Sequence, residues 1–223
     1  MNRLEDFFNL AGSLICHQLP SRSLYAGNTI LPVCARDTGI YAGIFTGALF
    51  LLLLRRLKAQ KQPGTAISIF MCVFMLPMVI DGLLSYMAVI ETNNITRLFT
   101  GVFFGLPIPF FLIPAAHFNI DGANDKEVLK NAAELVPVYA AAVILCILLL
   151  KALVPYIAVG LIFVSGLLFL LSRISYTIFV RVGCFKQKVL YAMTFCATLC
   201  MTILLFLIST FLLQPLKAVL LGG

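Results

Sequence analysis

Cys16-His17-Gln18 and Leu31-Pro32-Val33-Cys34-Ala35-Arg36-Asp37-Thr38-Gly39 put two thiols, an imidazole and a carboxylate close together, with guanidinium groups at Arg22 and Arg36. These types share one chemistry. Deprotonated thiol, neutral imidazole and carboxylate are the ligands of a divalent metal, zinc above all. Cys16, His17, Cys34 and Asp37 therefore form one candidate four-ligand set, with Cys-x2-Asp where Cys-x2-Cys is more familiar. His17 has a second reading, as a substrate-binding or acid–base group. Such side chains are costly beside a bilayer, so their clustering in an apolar chain marks a functional site. Plainer readings stand beside these. Cys16 and Cys34 suit a disulfide on an oxidising face, Asp37 suits a helix cap, and His17 suits a hydrogen-bonded interface residue.

A second polar group follows. Asp81 falls inside an apolar run, in Pro77-x3-Asp81-Gly82. A carboxylate there must be protonated, paired or turned to a polar cavity. Arg97 is its natural partner. Alternatively Arg22, Arg36 and Arg97, with Asn94, bind a phosphate or carboxylate, which guanidinium grips with two parallel bonds. Asp81 and His17 would then be the acid–base pair. Cys72, Cys146, Cys184, Cys196 and Cys200 lie mostly in apolar segments without ligand spacing and read as small buried hydrophobes. His117 reads as an interfacial residue away from the cluster.

The elements that position these groups are membrane helices. The 223 residues are 61% hydrophobic and 11% charged, too few charges to cover a water-facing globule. Apolar runs of bilayer-spanning length predict six helices, near 38–54, 65–90, 98–116, 136–151, 154–172 and 189–213. The first carries Gly39-x3-Gly43-x3-Gly47 and the third Gly101-x3-Gly105, stripes that let helices approach closely. Pro107, Pro109 and Pro114 predict a kink or unwound turn in the third. Ahead of them, Leu4, Phe7, Phe8, Ala11, Leu14 and Ile15 recur at helical spacing opposite Arg3, Glu5, Asp6 and Asn9. This predicts an interfacial amphipathic helix. Residues 18–33 read as a loop that returns Cys34 toward Cys16. The fold class is an all-α integral membrane protein: residues 1–37 hold the interfacial helix and the Cys/His loop, and 38–223 a single six-helix membrane domain.

The net charge of +7 invites a nucleic-acid reading that the positions exclude. Ten of the sixteen basic residues fall in 55–64, 117–135 and 173–188, short segments between spans. This is a topology signal. It predicts a multi-pass protein of the cell membrane with both termini outside and the cluster on the outer face. Arg3, Arg22, Arg36, Arg97, Lys151 and Lys217 are the scattered remainder, and 117–135 reads as a plain solvated connector. Early charges and the lack of a small-residue cleavage pattern predict no cleavable signal peptide. Six helices suffice for a monomer, so no oligomer is implied.

Ile15-Cys16-His17-Gln18-x-Pro20-Ser21-Arg22-Ser23, Leu31 to Tyr41, Asp81-Gly82 and Asn94-x2-Arg97-x2-Thr100-Gly101 together resemble the prokaryotic multi-pass membrane proteins grouped as domain of unknown function 2085. The resemblance covers residues 10–110. The family's second motif usually reads Cys-Ala-Arg-Cys-Thr-Gly, and this chain has Asp37 at the second cysteine. That departure removes a Cys-x2-Cys redox pair and leaves a metal site open, since aspartate also ligates zinc. It equally fits a member that has changed or lost the site. The resemblance implies no established activity. Three readings stand: a metal-dependent membrane enzyme acting on an anionic or lipid-linked substrate; an ion or small-molecule transporter using the same groups with Asp81 as carrier; and a redox or scaffold protein stapled by a Cys16–Cys34 disulfide.

Overall fold

The computed structural model describes residues 3–87, 89–119, 122–183 and 186–213. Asp121, Cys184 and Lys217 lie outside the described residues.

α1 (Arg3–Ser13) leads into a short antiparallel hairpin, β1 (Ser23–Ala26) and β2 (Thr29–Cys34). Residues 18–33 are therefore not an irregular loop. Leu24, Leu31 and Val33 are buried, and Tyr25 and Ile30, beside the turn, are exposed. Gly27 closes the turn at φ +61°, a left-handed conformation that glycine adopts without steric cost. The sequence contains these apolar residues, but its Pro, Ser and Asn punctuation hides the strands.

α2 (Ala35–Leu53) begins directly after Cys34. α3 (Thr65–Tyr86), α4 (Asn94–Gly105), α5 (Ile108–His117), α6 (Leu135–Leu150), α7 (Tyr156–Val182) and α8 (Gln187–Ile208) follow. Among the described residues, five segments are long and apolar enough to cross a membrane: 65–85, 94–117, 132–150, 156–182 and 187–211. α2 is not among them. It carries Arg36 and Asp37 in its first turn and is the enclosed centre of the fold, packed on α4, α5, α6 and α7.

The glycine stripes make the α2–α4 seam. A methyl group on Gly43 would lie 2.5 Å from the Val102 carbonyl oxygen, and one on Gly47 2.7 Å from that of Leu106. Gly39, Gly101 and Gly105 are equally closed off by the facing backbone. Backbone contact this close brings Arg36, at the start of α2, beside the start of α4. The helix breaks between Gly105 and Ile108, where Pro107 can donate no backbone bond.

Three further expectations change. Helix α7 does not stop at 172 but runs to Val182 over 27 residues, about 40 Å at 1.5 Å per residue. Its Arg173 stays helical and lays its guanidinium over the rings of Phe169 (5.5 Å) and Tyr176 (5.9 Å). A long basic side chain keeps its charge polar without breaking the helix. The segment 117–135 is not a plain connector: Lys61 and Gln60 N–H groups donate to the Lys126 carbonyl, and Arg56 and Lys61 pair with Glu134 and Glu127. Of the remaining described cysteines only Cys146 is buried. Cys72, Cys196 and Cys200 are exposed on helix surfaces, because α3 and α8 have one neighbour face each and turn the rest outward.

Candidate functional site

Three elements bring the cluster together. After α1 the chain turns sharply at Gln18 (φ +52°). The Gln18 side-chain amide donates to the carbonyls of Asn9 (2.7 Å) and Pro32 (2.9 Å), tying α1 to β2. Gly12 lets this happen, since any side chain there would strike the Pro32 carbonyl. The hairpin then returns Cys34 to Cys16, with Ser23 paired opposite Cys34. Asp37 stands one helical turn later, in the first turn of α2.

One ligand atom each from Cys16, Cys34 and Asp37 lie within 4.8 Å of one another. The Cys16 sulfur accepts backbone N–H bonds from Cys34 (3.2 Å) and Gln18 (3.5 Å). Asp37 Oδ2 accepts from the Cys34 thiol at 3.2 Å. These bonds split the two sulfurs. The Cys34 thiol beside it and the two N–H donors draw Cys16 below the ordinary thiol range, against burial and the Asp37 charge. The Cys16 sulfur beside it, burial and the same carboxylate push Cys34 up. Both thiols are free.

A cavity of about 290 Å³ opens over them, lined by Cys16, His17, Arg22, Cys34, Arg36 and Asp37 among others. His17 is exposed on its rim and is not one of the three clustered ligand residues. Two soft thiolate donors and a carboxylate at this spacing suit zinc, whose structural and catalytic sites take three or four such ligands.

The second polar group abuts the first through Arg36. Its guanidinium grips Asp81 Oδ2 with Nη2 at 2.5 Å and Nε at 3.1 Å. Asp81 therefore pairs with Arg36, in the first turn of α2, rather than with Arg97. Arg97 is only 7% exposed and Asp81 5%. Arg97 donates to the Ser85 hydroxyl at 3.4 Å, a partner that its sequence position gave no reason to single out. Among the described residues, Asp81 Oδ1 and Arg97 Nε are buried without a hydrogen-bond partner. Buried polar atoms are nearly always satisfied, so two orphans at one place call for a ligand or water. Asn94 points elsewhere: its amide donates to the carbonyls of Ser23 (3.2 Å) and Ser21 (3.4 Å), docking the hairpin on α4. His117 sits at the far end of α5, its Nδ1 2.9 Å from the Ile113 carbonyl.

Comparison with known proteins places residues 16–111 in the family described as predicted membrane protein (DUF2085). The chain is 32% identical over 102 residues to an uncharacterised protein of Methanocaldococcus jannaschii, covering 46% of this chain and 64% of that one. It is 35% identical over 88 residues to an uncharacterised protein of Methanothermobacter thermautotrophicus, covering 40% of this chain and 75% of the relative. The match thus spans less than two thirds of the first relative's length. No solved structure matches. The matched segment holds the cysteine cluster, Arg36, Asp81 and Arg97. The chain belongs to this family of membrane proteins.

Proposed function

We propose that this DUF2085 member is a metal-dependent membrane enzyme whose site binds an anionic, lipid-linked group. The observation that carries the reading is the convergence of Cys16, Cys34 and Asp37 within 4.8 Å, next to a buried arginine with an orphaned Nε. Cys16, Cys34 and Asp37 would hold the ion, with zinc favoured for a thiolate-rich set. His17, on the cavity rim, would complete the set or serve as acid–base group. A bound divalent ion would polarise a phosphoryl or carbonyl oxygen, or activate water. Arg97 and Arg22 supply positive charge for the substrate's anionic group. Asp81, held by Arg36, keeps Oδ1 open as a proton acceptor.

In this reading α2 is a sixth membrane-crossing helix, shielded from lipid by its neighbours. α1 lies in the interface, where Leu4, Phe7 and Leu10 remain more than half exposed, as an amphipathic interfacial helix would hold them. The cluster end faces outward and the basic end inward. Asp81 inside α3 and the helix break before Ile108 give transport a foothold, because irregular backbone inside a membrane lines protein or water.

Metal content of the detergent-purified protein by mass spectrometry, with a free-thiol count, tests the assignment. Wild type carries about one equivalent of zinc or iron and Cys34→Ser loses it. Metal-free wild type with two thiols missing instead makes the segment a disulfide staple. Asp81→Asn in metal-loaded protein then separates enzyme from metal scaffold: it abolishes turnover while metal stays bound. Flux in proteoliposomes that depends on Asp81 would move the assignment to transport.

A further inference from the structure

At the opposite end of the bundle the chain builds a second concave site. A cavity of about 630 Å³ is lined by Arg55, Arg56, Lys58, Asp125, Lys126 and Lys130, with Leu52 on its membrane side. Its walls are fixed. Arg56 holds Glu134 through two bonds (2.5 and 2.9 Å) and the Val128 carbonyl through a third (3.2 Å). Lys61 pairs with Glu127 at 2.6 Å. Those pairs consume two of the local carboxylates. Among the described residues, Arg55, Lys58, Lys126 and Lys130 are in no ion pair, and Asp125 is the remaining carboxylate of the lining.

Arg55 takes φ +56° as the left-handed cap of α2: the N–H groups of Arg55 and Arg56 donate back to the Leu52 (2.9 Å) and Leu51 (2.7 Å) carbonyls. The conformation ends α2 and starts the cavity wall at the same residue. Immediately before it, Leu52, Leu53 and Leu54 are exposed, Leu53 at 72%. Positive charge in a concavity thus sits directly at the end of an apolar helix surface.

The geometry points to a binding site for the phosphate head group of an anionic glycerophospholipid, with the lipid tails running along the Leu52–Leu54 surface. A phosphodiester matches several converging cations. Basic pockets at helix ends on one membrane face are where such head groups dock. The site is remote from the cysteine cluster and does not depend on its function.

The experiment is native mass spectrometry of the whole protein in neutral detergent at fixed salt. The probes are phosphatidylglycerol, phosphatidylcholine of the same chain length, and inorganic phosphate. Phosphatidylglycerol binds best, and Arg55→Gln with Lys58→Gln and Lys130→Gln reduces its binding by roughly a hundredfold, at about one cation's contribution each. Lys186→Gln with Lys188→Gln, which removes charge at the start of α8 outside the cavity, leaves binding within about twofold. Equal binding of the two lipids, or equal loss in both variants, overturns the site. Phosphate binding as tight as the lipid overturns the lipid assignment. Should the triple variant not fold, Arg55→Gly decides. Glycine takes the left-handed turn without strain, so its melting temperature is unchanged or raised while phosphatidylglycerol binding falls about fivefold. Unchanged binding in Arg55→Gly overturns the proposal.

Discussion

The two ends of the bundle handle charge in opposite ways. At the cluster end the ionisable groups are few, largely enclosed and incompletely satisfied: Asp81 and Arg97 each bury a polar atom without a partner. At the basic end the groups are many and mostly exposed: Arg56 and Lys61 are paired with Glu134 and Glu127, while Arg55, Lys58, Lys126 and Lys130 line the cavity outside any ion pair among the described residues. Surface pairs contribute little because water screens them. Enclosed charges are stabilised only by each other, so a single loss there is severe. Groups kept at that cost are the signature of a site, whereas the ion pairs at the other end fix the walls of the cavity and leave its unpaired cations to bind.

Substitutions sharpen the contrast. The largest stability effect belongs to Asp81→Ala, which strands the Arg36 guanidinium that Asp81 holds. Breaking one side of a buried pair costs about 3–5 kcal/mol, read as thermal unfolding in detergent. A variant that melts with the wild type would mean that the pair is solvated. Gly43→Val comes next. Its side chain must enter the 2.5 Å gap to the Val102 carbonyl, and overpacking of this kind costs about 1–3 kcal/mol. It also pushes the start of α2 from α4, so metal retention falls with stability. Glu134→Gln, which removes one partner of the two-bond Arg56 clasp, costs about 1 kcal/mol, and raised salt shrinks the difference. Lys61→Gln, at an exposed pair, leaves the melting curve unchanged. An effect as large as that of Glu134→Gln would show that the Lys61–Glu127 contact organises the loop.

Much of the site was legible because its residue types are rare in apolar chains. Cys16, Cys34 and Asp37 stand out by chemistry, and the return of Cys34 to Cys16 follows from their flanking elements. Gln18 was visible only as part of a motif. Its role as the strut between α1 and β2 needs the Asn9 and Pro32 carbonyls, which lie nine residues before and fourteen after it. The Arg36–Asp81 pair was not legible either. Arg97 is far nearer to Asp81 in sequence, and nothing in a linear pattern reveals that the glycine seam draws Arg36 to the same place.

The sequence by itself determined the class of this protein, the approximate helices and the Cys16, Cys34 and Asp37 group that the fold gathers. Hydropathy over a span, helical periodicity and donor chemistry are local properties, written in adjacent residues. Tertiary structure alone decided which charges pair, that α2 is the enclosed centre, that residues 23–34 form a hairpin and that the basic loops enclose a cavity. Each of these depends on backbone approach between segments far apart in the chain. Such approach is set by packing, where a missing Cβ at Gly43 or Gly105 decides what can touch.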